Sequence, residues 1–167
     1  MHKSLALMVA PLALVSVPAS AQMRPATLGE IFESYNDCLV ATASGRLDPA
    51  ELDRLGWKLA APAPQPGQAP DAEPIIYNRE DRATMILLSR LGRSGACIVS
   101  ARIESFQKYE DFRSAFGDSL PPAGRNGATT YRAKGRTVQM APAGTSDRPG
   151  LRLVVATPVE STNVNSR

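Results

Sequence analysis

The chain has 167 residues, 43% of them hydrophobic, 21% charged and 5% aromatic, with a formal net charge of +3. That balance excludes a fibrous chain and a wholly disordered one. The only histidine is His2, so the rest of the chain has no Ser-His-Asp triad, no Cys-His pair and no imidazole metal ligand.

Residues 1–21 have the three parts of a secretory leader. Lys3 supplies the positive start, Ser4 to Val17 is largely apolar, and Ala19-Ser20-Ala21 is a small-residue cleavage site. The apolar stretch is too short to cross a hydrocarbon core of about 30 Å, and Pro11 and Pro18 interrupt it. Cleavage after Ala21 and a periplasmic or secreted destination are therefore expected. No later apolar run suffices for a membrane span. An oxidising destination would pair the two cysteines, Cys38 and Cys97.

Residues 22–59 read as a helical segment. Thr27 and Glu30 have capping-box spacing, and Leu28, Ile31, Phe32, Tyr35, Cys38 and Leu39 recur every three or four residues along one face. Gly45 is the expected stop. A second, short helix is predicted from Asp48 as cap, Pro49 at the first position and Glu51 as the box acid. Leu47 and Leu52 have staple spacing, Gly56 is the stop, and Trp57 should fold back towards Leu52. Residues 60–74 carry five prolines and read as a linker.

From Ile75 to residue 160 the pattern is an α+β core. Ile75–Tyr77 reads as a short edge strand, followed by strands over Thr84–Arg90 and Ala96–Ile103 joined by a glycine-containing hairpin loop. Cys97, Val99, Ala101 and Ile103 share one strand face, and Ile98, Ser100 and Arg102 the other. Cys97 thus faces inward, where the apolar face of the first helix would bring Cys38. Ser105 should cap a third helix to about Phe116, with Phe106, Tyr109, Phe112, Ala115 and Phe116 on its core side. Strands are then predicted over Thr129–Ala133, Arg136–Ala141 and Leu151–Thr157, and residues 161–167 read as a frayed tail. Without helices between most strands, the sheet must be antiparallel. The expected fold is an antiparallel sheet of four to six strands with helices on one face. The helical segment 22–59 forms one domain with the core and is stapled to the sheet by Cys38–Cys97.

No residue pattern assigns a catalytic group, a cofactor or a metal. Gly117-Asp118-Ser119-Leu120 resembles the signature of the GDSL lipases and esterases, but it follows a helix and has no histidine to serve as base. Ser105-Phe106-Gln107-Lys108 has S-x-x-K spacing without the companion motifs of penicillin-binding enzymes. The acidic pairs Glu80-Asp81 and Glu110-Asp111 lack calcium-loop spacing. There is no phosphate loop, and basic residues are not interleaved with aromatics as for nucleic acid.

Charge is unevenly distributed. Residues 22–81 hold 5 basic and 10 acidic side chains, whereas residues 121–167 hold 7 basic and 2 acidic. Strand parity places Arg102, Arg132 and Arg152 on the side of the sheet away from the helices. These features favour an exported, non-catalytic binding domain, of the periplasmic inhibitor or immunity type, for a protein or anionic partner. A small His-independent hydrolase and a structural envelope component are the alternatives.

Overall fold

The computed structural model describes residues 24–60, 74–91 and 94–157. The expected leader at 1–21, the Pro-rich stretch across 61–73 and the expected tail at 161–167 lie outside the described residues.

Helix α1 runs Leu28–Ala41 and opens with both halves of the capping box. Glu30 N donates to Thr27 Oγ1 at 3.2 Å, and Thr27 N donates to Glu30 Oε2 at 2.8 Å. Ile31, Tyr35, Cys38 and Leu39 are buried as the spacing predicts. Phe32 is the exception, 47% exposed at the rim of the stripe, its ring centroid 6.2 Å from Phe116. A polar residue takes part in the buried face instead. Ser34 is fully buried, its hydroxyl donating to Glu30 O and sharing a 2.7 Å hydrogen bond with Thr84 Oγ1. Burial costs that hydroxyl little because both of its roles are filled.

Helix α2 is Pro49–Arg54, with Asp48 Oδ1 accepting from Ala50 N. Glu51 does not complete a box; it pairs with Arg54 at 2.6 Å. Gly56 adopts a φ of +87°, which only glycine tolerates cheaply, and Trp57 N then donates back to Leu52 O at 3.0 Å. That turn drives the Trp57 indole into the core, fully buried, with Nε1 donating to Asp37 Oδ2 at 2.9 Å. Trp57 is thus a packing residue that joins α2 to α1.

Seven strands form one antiparallel sheet among the described residues: β1 Lys58–Leu59, β2 Ile75–Asn78, β3 Thr84–Leu91, β4 Ser94–Arg102, β5 Thr129–Ala133, β6 Arg136–Gly144 and β7 Pro149–Ala156. Their order is β1-β2-β3-β4-β7-β6-β5. The expected count of four to six is corrected to seven by β1, a two-residue strand with both side chains exposed. It pairs Lys58 with Asn78 and Leu59 with Tyr77, so β2 is not an edge. After β4 the chain crosses through α3, Phe106–Ser114, and returns so that β7 pairs with β4.

The core lies between this sheet and the helices. Ile86, Leu88, Cys97, Val99, Val138, Met140, Leu151, Leu153 and Val155 face inward and are all buried. Fully burying each such side chain is worth about 1.5–3 kcal/mol. The Cys38–Cys97 disulfide joins α1 to the central strand β4, with Cα atoms 5.5 Å apart and a sequence separation of 59. Helix α3 packs beside α1 through Phe116, whose ring lies 5.4 Å from Phe112, 6.3 Å from Tyr35 and 6.0 Å from Tyr131. It ends at Ser114 rather than Phe116, and Phe106 is 40% exposed instead of joining the core. No helix among the described residues is long and apolar enough to cross a membrane.

Candidate partner-binding face

All the helix packing falls on one side of the sheet, which leaves the other side uncovered by any described element. Register defines what that side presents. Met85 pairs with Ser100, and Ser100 with Arg152, whereas Arg102 pairs with Gly150. Arg102 and Arg152 are therefore diagonal neighbours on adjacent strands, with Cα atoms about 7–8 Å apart. Arg152 is exposed and Arg102 half-buried. Gly150 leaves the floor beside them without a side chain. A Cβ there would sit 3.1 Å from Ala101 O and 3.3 Å from Ala143 O, so any larger residue would require the backbones of β4 and β6 to give by a few tenths of an ångström.

Arg132 shares the face but not the cluster. It pairs with Thr137, which pairs with Ala156, four residues along β7 from Arg152. Two strand spacings across and four residues along put it roughly 16 Å from Arg152. Its Nη2 donates to Gly135 O at 3.2 Å in the β5–β6 turn. Lys58 is a further cation of this side, placed there by its pairing with Asn78, and exposed.

Between these charges runs an apolar row. Ile76 pairs with Leu87, Leu87 with Ile98, and Ile98 with Val154, so four side chains line up across β2, β3, β4 and β7. Each is half-buried. Met85 extends the row towards the arginines. At roughly 25 cal/mol per Å² of apolar area removed from water, covering this row would release stabilisation that the fold leaves unrealised.

Among the described residues, the outward strand positions carry Lys58, Arg102, Arg132 and Arg152 and no Asp or Glu. The acids lie elsewhere. Glu33 and Asp37 are on α1, and Glu51 and Asp53 on α2. Glu33 binds Arg82 at 2.6 Å, and Asp37 accepts from Trp57. Of the basic residues of 121–167, Arg132 and Arg152 face this side, while Arg136 turns to the C-terminal end of α1.

Strand parity was enough to place Arg102, Arg132 and Arg152 on the same side of the sheet. It missed Lys58, because β1 is too short to show alternation. It also missed the row, although a signal existed. Met85-Ile86-Leu87-Leu88 is apolar without interruption, and continuous apolar runs mark strands whose two faces both meet apolar surroundings. The serine motifs acquire no catalytic setting. Lys108 Nζ pairs with Asp111 at 3.6 Å, and Ser119 sits exposed in the 3-10 turn Gly117–Ser119. Comparison with protein families, curated proteins and solved structures finds no match to this chain.

Proposed function

We propose that the protein is an exported, non-catalytic binding domain that takes a protein or anionic partner on the uncovered face of its sheet, through Arg102, Arg152 and, at the periphery, Arg132. The observation that carries this reading is the surface chemistry of that face: cations and an apolar row, with no carboxylate at any outward strand position among the described residues. Arginine suits the role because its planar guanidinium makes paired hydrogen bonds to carboxylates. Export, with cleavage after Ala21, is part of the proposal; the disulfide is compatible with an oxidising destination, where such bonds persist. An inhibitor or immunity-type role fits a small, stapled scaffold that offers a surface rather than a reactive centre.

Affinity capture of the tagged chain from its source cells tests this. The wild-type chain should retain a partner that Arg102→Glu/Arg152→Glu loses. Equal retention by the folded double variant would contradict the proposed face.

A further inference from the structure

We infer that the partner is an acidic polypeptide segment of amphipathic character, whose apolar side chains cover the row Ile76, Leu87, Ile98 and Val154 and whose carboxylates meet Arg102 and Arg152. This rests on the reading of the sheet face as a binding surface and gives that surface an occupant.

Complementarity of two kinds points to it. The row spans four adjacent strands, about 14 Å from the first to the last, and it is continuous in register. A small anion could satisfy the arginines but would leave the row bare. A purely apolar ligand would cover the row but bury or abandon the charges beside it. Only a segment bearing both features satisfies the whole surface.

Other occupants match less well. A second copy meeting the same face would set Lys58, Arg102, Arg132 and Arg152 against their own equivalents, and like charges brought together suppress association. The segments of this chain outside the described residues contain only three carboxylates, Asp71, Glu73 and Glu160. An anionic lipid surface calls for aromatic or long apolar side chains that reach the acyl boundary. The outward strand positions hold no Phe, Tyr or Trp, and the row is half-buried rather than protruding.

Site-specific photocrosslinking tests the inference. A benzophenone amino acid replaces Val154 on the sheet face, or Val40 on α1 as the control position, which is 40% exposed. The full chain is irradiated in its source cells, and the crosslinked peptide is sequenced by mass spectrometry. The expected result is an adduct at position 154 to a foreign segment that is net acidic and carries apolar residues. Adding Arg102→Glu/Arg152→Glu should cut that adduct by about tenfold or more, with the disulfide and the native Trp57 emission confirming the fold. An adduct at 154 to lipid, to a second copy, to residues 61–73 of the same chain, or to a neutral or basic segment would overturn the inference while leaving the face a binding surface. Adducts at 40 with none at 154 would overturn both.

Discussion

Arg136 of β6 donates its Nε to the carbonyl oxygen of Thr42 at 2.6 Å and an Nη2 proton to that of Ala43, so a strand residue closes the C-terminus of α1 from 94 residues away. The helix has no basic residue in its own last turn. The guanidinium meets the negative end of the helix dipole and satisfies carbonyls that have no intrahelical partner. Arg136→Ala should cost about 1–3 kcal/mol of stability, read as a lower urea midpoint with an unchanged slope.

The disulfide supplies a second and larger constraint. Because it joins α1 to β4 across the core, Cys97→Ala should lower stability by roughly 2–5 kcal/mol. Native peptide mapping without reductant should recover the linked pair. Alkylation of both thiols in the folded chain would contradict the bond. Trp57 is the only tryptophan and is fully buried, so its emission reports the unfolding transition directly.

Glu30 should make the stability depend on acid. Its carboxylate accepts from both Arg24 Nη atoms, from Thr27 N and from Ala83 N at 3.2 Å. The Arg24 guanidinium, foremost, and then the backbone amide of Thr27, pull its pKa from an ordinary 4.5 down to about 2. A folded pKa below the unfolded one means that the stabilisation is complete above about pH 4.5 and is lost as pH falls towards 2. Glu30→Gln should therefore be less stable than wild type at pH 7, with the gap closing between pH 4.5 and 2. Urea titrations across that range provide the check. A gap that does not change with pH would contradict this role.

The three outward arginines should not be equivalent. Arg102 and Arg152 are diagonal neighbours, whereas Arg132 stands some 16 Å from Arg152, about twice the 8 Å screening length at physiological salt. Reversal of Arg132 alone should weaken partner binding by less than about 1 kcal/mol, an effect reduced further by added salt. Reversal of either Arg102 or Arg152 should weaken it by more. Binding titrations of the three single variants at low and high salt distinguish these outcomes.

What could be read from the sequence follows from the range of the interactions involved. Capping at Thr27 and Asp48, the turn at Gly56, and strand parity around Cys97 depend on near neighbours, and each is visible in a few consecutive residues. The disulfide followed from two such local readings combined. Contacts set by tertiary approach left no comparable trace. Arg136 looks like any strand arginine until β6 passes the end of α1. Phe32 and Phe106 have helical spacing but remain 47% and 40% exposed, a difference from their stripe-mates that spacing alone does not show. The strand Lys58–Leu59 exists through its pairing with Tyr77 and Asn78, not through a pattern of its own. The apolar row is invisible until register aligns Ile76, Leu87, Ile98 and Val154, since no strand supplies more than one member.

Methyl NMR tests most directly whether the partner binds the sheet face opposite the helices. Methyl signals of the chain are followed while the captured partner is titrated in, with each methyl assigned by substitution. Ile76, Leu87, Ile98 and Val154 should shift with the same dissociation constant, while the inward Ile86, Val99 and Leu153 stay essentially still. Shifts confined to Leu28 and Val40 on α1, with the outward row unmoved, would contradict that placement.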